Sequence, residues 1–129
     1  MMKDTEEKQL DDKVILNLIE LGNGDGVFEN RLLVVQLIHL YMENFDERIL
    51  NLKQGVEHQD PKAIEMSAHA LKSSSLLIGL TKLAQYCQEL EDLGFSKNIE
   101  KSKVVWESME RLSQKTIPLL KQKIVELEK

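Results

Sequence analysis

The chain is poor in the residues that staple, break or sharply turn a small fold. A single cysteine, Cys87, among 129 residues excludes an internal disulfide, and two prolines and six glycines leave long stretches free to be helical. No apolar run is long enough to cross a membrane: the longest, "LLVVQLIHLYM", is interrupted by Gln36 and His39 and falls well short of about 20 residues. The formal net charge of -5 argues against a nucleic-acid partner, because such binding depends on cations that neutralise phosphates. The opening "MMKDTEEKQLDDK" lacks the basic-then-apolar plan of a secretion signal, so a cytoplasmic protein is expected. Alternating β-branched runs are missing too, and with them any strand signal.

What the sequence has instead is helical periodicity. Val14, Ile15, Leu18, Ile19 and Leu21 mark a short helix over about 10–21 that Asp11 or Asp12 can cap. The following "GNGDG", 22–26, has neither the spacing nor the Lys-Ser/Thr of a phosphate-binding loop and reads as a turn. Val34, Val35, Ile38, Tyr41, Met42, Phe45, Ile49, Leu52 and Val56 then line one face of a long helix over about 28–57, with a bend expected near 44–46. Asp60 as cap and Pro61 at the first helical position restart a helix that stops near Gly79. Thr81 is the expected cap of the next helix, whose inward residues are Leu83, Ala84, Cys87, Leu90 and Leu93 and whose end is expected at Gly94. A final pattern over about 98–128 carries Val105, Met109, Leu112, Leu119, Leu120, Ile124 and Leu127, and Pro118 should kink or split it near Lys115. The expected fold is all-α: an antiparallel four-helix bundle with a short additional N-terminal helix, one domain over 1–129 with a flexible start over about 1–9.

Within this pattern "SAHALKSSSLLIG", 67–79, is unusual for its histidine, lysine and run of serines. Side chains turn by about 100° per residue, so with His69 at 0° the residues Ala63, Ile64, Ser67, Ala70, Leu71, Ser74 and Ile78 fall between about 100° and 220°. They form the predicted core stripe, which assigns Ser74 to packing and leaves Ser75 between the two sides. His69 points away from it, flanked by Ser73, Leu76, Lys72 and Glu65. A neutral imidazole offers one lone pair and forms covalent intermediates. Lys72, one turn on, would favour an anion attached there. Phosphoryl transfer needs mainly alignment and charge neutralisation, which such a protruding histidine can serve if a partner brings the rest.

The run "HALKSSSLLIGLTKLAQYCQELEDLG" resembles the histidine phosphotransfer (HPt) family of two-component phosphorelays through His69, Leu71, Lys72, Ser74, Ser75, Gly79, Leu83, Cys87, Leu90 and Gly94. The resemblance implies that His69 is the phosphoacceptor, taking a phosphoryl group from an aspartyl phosphate on one receiver domain and passing it to an aspartate on another. The receivers implied are those of a hybrid histidine kinase and a response regulator. Lys72 and Ser73 would bind the phosphate. Glu65, Met66, Leu76 and Leu80 are the expected docking residues. Two positions depart from the family pattern: Ser73 replaces a common glycine, and Glu91 stands where some members carry an amide.

Other chemistries fit less well. A histidine kinase would place an acidic residue directly after the histidine, where Ala70 stands, and would need an ATP-binding domain. His39, His58 and His69 make no i, i+4 pair and no HExxH, so no metal site is expected. His39 reads as a border residue of the long helix and His58 as part of a polar loop. Cys87 reads as a small core residue. A phosphocarrier that is not itself an enzyme, holds no cofactor and is monomeric is therefore expected, with Mg²⁺ supplied by the receiver. The alternative is a helical-bundle adaptor that binds receiver domains or other partners without carrying phosphate.

Overall fold

The computed structural model describes residues 8–21 and 27–129. Among the described residues six helices follow one another: α1 (Asp12–Glu20), α2 (Val27–Glu57), α3 (Pro61–Leu77), α4 (Thr81–Phe95), α5 (Ile99–Ser113) and α6 (Thr116–Glu128). No strand occurs among the described residues, and one isolated antiparallel bridge joins Leu10 to Leu80. The turn expected at 22–26 and the flexible start over 1–7 lie outside the described residues. Gln9, also expected to be flexible, is buried and donates to the Leu112 carbonyl at 3.1 Å.

Polar side chains start the helices where the sequence offers them. Asp11 accepts from Lys13 N at 3.0 Å, Asp60 from Ala63 N at 3.1 Å and Asn98 from Lys101 N at 3.2 Å. Pro61 occupies the first turn of α3, where a missing N–H leaves no bond unmade. The cap of α4 is a correction. Thr81 is its first helical residue and Leu80 is the N-cap, with no side-chain bond, because Leu80 is anchored by its own burial and by its bridge to Leu10. α2 runs without interruption through 44–46.

Three helix ends close in the same way. Asp60 N donates to Gly55 O, Leu80 N to Ser75 O and Asn98 N to Leu93 O, each at 2.9 Å, and each closure passes through a left-handed residue. Those residues are Gln59 (φ +55°), Gly79 (φ +85°) and Lys97 (φ +62°). Gly94 is therefore not the stop signal it was expected to be. It lies inside α4, buried, at a close crossing with α3: a Cβ there would sit 2.7 Å from Glu65 N and 2.8 Å from Pro61 O. Gly79 is constrained twice: its φ is positive, and a Cβ there would sit 2.9 Å from the backbone oxygen of Asp11, whose N–H donates to Gly79 O at 2.7 Å.

Three-residue connections at 58–60, 78–80 and 96–98 turn α2, α3, α4 and α5 back on one another, which gives the antiparallel bundle. α3 packs between α2 and α4, α4 against α5, and α2 against α6, with α1 laid on α2. α5 and α6 are the broken fourth helix. The break falls at Gln114 and Lys115, and Pro118 sits in the first turn of α6, as its missing donor requires. One apolar core, including Ile38, Leu52, Ile64, Leu71, Leu83, Leu90, Met109 and Leu120, runs through the bundle. Cys87 belongs to it, and burial pushes its thiol up to about 12.

The phase of α3 differs from the wheel drawn on sequence. Its buried residues are Ile64, Ala68, Leu71 and Ser75, whereas Ala70 is exposed and Ser74 only half-buried. α3 is covered on two sides, by α2 and α4, so the buried arc is shifted toward Ala68 and Ser75. The two serines accordingly exchange roles. Ser75 is fully buried and its Oγ lies 2.7 Å from Tyr41 Oη of α2, while Ser74 bonds back to the carbonyls of Ala70 and Leu71.

Candidate functional site

α3 and α4 form an antiparallel hairpin whose register is fixed at both ends. At its turn, Leu80 N bonds to Ser75 O; far from the turn, Gly94 admits the backbone of Pro61 and Glu65. Between these points, residues equally distant from Leu80 face one another. Gln88 meets Lys72, and one turn further Glu91 meets His69.

His69 stands out from the bundle, its side chain 61 % exposed. Ala70, next along the helix, and Ser73, one turn on, are too small to cover the ring, and the Ser73 hydroxyl is turned back to donate to His69 O at 3.2 Å. Lys72 lies lower, 19 % exposed, with Nζ 2.7 Å from Glu91 Oε1 and 3.0 Å from Gln88 Oε1. Glu91 presents its other oxygen to the histidine: Oε2 is 2.9 Å from His69 Nδ1. Gln88 in turn donates to Asp92 Oδ1 at 2.9 Å. One carboxylate thus bridges imidazole and ammonium.

The Lys72 ammonium, hydrogen-bonded to it, holds the Glu91 carboxyl below its ordinary value; partial burial opposes this and the His69 contact adds to it. An ionised carboxylate can only accept. The hydrogen of the short contact therefore belongs to Nδ1, and in the neutral ring the lone pair is on Nε2, which has no partner among the described residues and faces the open side. The arrangement suits nucleophilic attack from Nε2 on an electrophile carried by another molecule, with a cation within reach for a transferred anion. A groove of about 220 Å³, lined by Lys72, Leu76, Thr81, Ala84, Gln85 and Gln88, lies beside the lysine.

The residues expected for docking divide. Met66 and Leu76 are 61 % and 50 % exposed on α3, and Glu65 is half-buried with its carboxylate 3.6 Å from Lys62 Nζ. Leu80 is fully buried and belongs to the core, because α3 ends at Leu77 and the helical phase no longer applies beyond the Gly79 turn. Leu77, 52 % exposed, was not singled out on sequence and joins Met66 and Leu76 as apolar surface on this helix. Gln88 was also missed; only the hairpin register shows that it reaches Lys72. His39 and His58 are exposed and lie elsewhere. Among the described residues no three His, Cys, Asp or Glu side chains converge to hold a metal ion, and no helix is long and apolar enough to cross a membrane.

Comparison with known proteins gives matches in family, structure and sequence. The Hpt domain family model matches residues 36–128. The crystal structure of histidine-containing phosphotransfer protein B (HptB) from Pseudomonas aeruginosa PAO1 superposes with a TM-score of 0.76 at 27 % identity, covering 92 % of this chain and 96 % of that one. Multistep phosphorelay regulator 1 of Schizosaccharomyces pombe is 30 % identical over 90 residues, which are 69 % of this chain. This chain spans 29 % of the length of that relative.

Proposed function

The chain belongs to the Hpt domain family, and from that premise we propose that it is a phosphorelay carrier in which His69 Nε2 accepts a phosphoryl group from a receiver-domain aspartate and returns it to another. The observation that carries this reading is the hydrogen bond from His69 Nδ1 to Glu91, which leaves Nε2 as the nucleophilic nitrogen on an exposed ring. In the forward step the Nε2 lone pair forms the N–P bond as the P–O bond to the aspartyl carboxyl breaks, and the aspartate leaves as a carboxylate. The ring gains the positive charge and the transferred group keeps its negative charge. Lys72 Nζ, one helical turn away, is the cation for that group. Ser73, whose hydroxyl can turn from the His69 carbonyl, is the second proposed phosphate ligand.

Met66, Leu76 and Leu77 give the exposed side of α3 an apolar surface beside the imidazole, with Glu65 at its edge, and receivers are proposed to dock there. The carrier itself holds no cofactor in this reading. Mg²⁺ belongs to the receiver, the chain neither uses ATP nor acts as a kinase, and it works in the cytoplasm as a monomer. The partners are proposed to be the receivers of a hybrid histidine kinase and of a response regulator.

The test is to mix the protein with a receiver domain carrying radiolabelled aspartyl phosphate. Acid-labile, base-stable label should appear on the wild type and be lost in His69→Gln. Label that survives the substitution would overturn the assignment, and receiver binding without any label would favour the adaptor.

A further inference from the structure

Glu91 is a charged residue wedged between the proposed nucleophile and the proposed phosphate ligand, and it touches both. A carboxamide would fit the same space and could accept from one of them, but it would not carry charge. We propose that Glu91 is a positioning residue that keeps the proton on His69 Nδ1 after phosphorylation, and so makes this carrier's phosphohistidine short-lived and quick to be passed on. The proposal rests on the phosphocarrier reading of His69.

Glu91 acts on the phosphorylated ring in two independent ways. When Nε2 is phosphorylated with Nδ1 still protonated, the ring is cationic. Breaking the N–P bond then releases a neutral imidazole, the electron pair returning to Nε2, and the phosphoryl group passes to water or to an incoming carboxylate. If Nδ1 first loses its proton, the leaving group is an imidazolate, and the bond resists cleavage. A carboxylate 2.9 Å from Nδ1 stabilises the protonated form. The second effect acts through Lys72. Its ammonium is held by Glu91 at 2.7 Å and by Gln88 at 3.0 Å, so a phosphoryl group at Nε2 must share it with a fixed negative charge. An amide at position 91 would release more of that cation to the phosphate. Both effects shorten the life of the phosphorylated state.

The charged groups around the ring support this balance. On α3 these are Glu65 one turn before and Lys72 one turn after; α4 contributes Glu91 and Asp92, the latter engaged by Gln88. From α2, Arg48 approaches the neighbouring backbone, donating to Ala70 O at 3.2 Å. Glu91 alone among these carboxylates has a hydrogen bond to the imidazole.

The experiment compares wild type with Glu91→Gln in a background of His39→Gln and His58→Gln, which leaves one histidine to modify. The protein is phosphorylated chemically with phosphoramidate, and the loss of phosphohistidine is followed by ³¹P NMR from pH 5 to 10. Circular dichroism confirms that both chains are folded. In Glu91→Gln the pH above which the phosphohistidine becomes stable should fall by about one unit, making its half-life roughly tenfold longer at pH values above both transitions. In parallel, ¹⁵N shifts of the unmodified neutral ring should place the proton on Nδ1 in wild type and show a mixture in the variant. Equal half-lives and pH profiles for the two chains, or a wild-type proton on Nε2, would overturn the proposal. Because receivers take no part, its failure is distinguishable from failure of the relay function, which receiver labelling reads separately.

Discussion

Replacing Gly94 by alanine tests whether the α3–α4 crossing sets the geometry of the site. The new methyl carbon would lie 2.7 Å from Glu65 N, 2.8 Å from Pro61 O and 3.1 Å from Glu65 Cα. The first two distances are roughly 0.6–0.7 Å inside ordinary van der Waals contact, and all three neighbours are backbone atoms that cannot rotate aside. The helices must move apart. With backbone on every side the cost lies in the upper part of the overpacking range, about 2–3 kcal/mol, while alanine recovers about 1 kcal/mol of helix propensity. The net expectation is a destabilisation of about 1–2 kcal/mol, a fall in Tm of roughly 4–8 °C for a domain of this size. Unfolding can be followed by circular dichroism and by the fluorescence of Trp106, which is buried against the core. One turn from the crossing, the 2.9 Å contact between His69 and Glu91 should lengthen, changing the ¹⁵N shifts of the imidazole. A Tm equal to or above that of the wild type would mean that the propensity gain meets no opposition, and the close-contact argument would fail.

Tyr41→Phe leaves the buried Ser75 hydroxyl without its partner on α2 and should cost about 1–2 kcal/mol in chemical denaturation; adding Ser75→Ala should restore part of that loss. Cys87 should resist thiol reagents in the native protein at pH 8 and react fully in denaturant, since it is buried and its thiol is pushed up to about 12. The Glu91 carboxyl is held below its ordinary value of 4.5, so its contribution to stability is present above that pH and lost as pH falls through the lowered value. Removing its principal partner by Lys72→Ala should therefore leave the helical content unchanged and make the decline in stability below about pH 4.5 shallower, measured by denaturation at a series of pH values.

Features that depend on one helix and its own neighbours were readable before the structure. The Asp60–Pro61 start of α3 and the split before Pro118 follow from backbone chemistry that any surrounding leaves intact. The outward direction of His69 survived an error in the helical phase because it lies far from any buried arc. Ser74 and Ser75 did not survive it, since they sit near the boundary and a modest rotation exchanges them. Gly94 shows a different limit. A glycine near a helix end serves a C-cap and a close crossing equally well, and only the position of Pro61 and Glu65 decides between them. Leu80 lies beyond the reach of helical phase, since α3 ends at Leu77 and the left-handed Gly79 turns the chain into the core. The bridge by Glu91 needs the register of α4 against α3, which periodicity within either helix does not contain.

The hairpin register bears on how this chain can change length over evolution. His69, Lys72, Gln88 and Glu91 meet only because each pair is equally far from Leu80 at the end of the turn. One residue inserted there would carry Glu91 about 1.5 Å along α4 and about 100° around it, away from the imidazole. The same insertion at Gln114 or Lys115, between α5 and α6, would leave every contact at His69 in place. Homologues that keep this chemistry should therefore vary in length at the later break and hold constant the number of residues separating the histidine from its carboxylate.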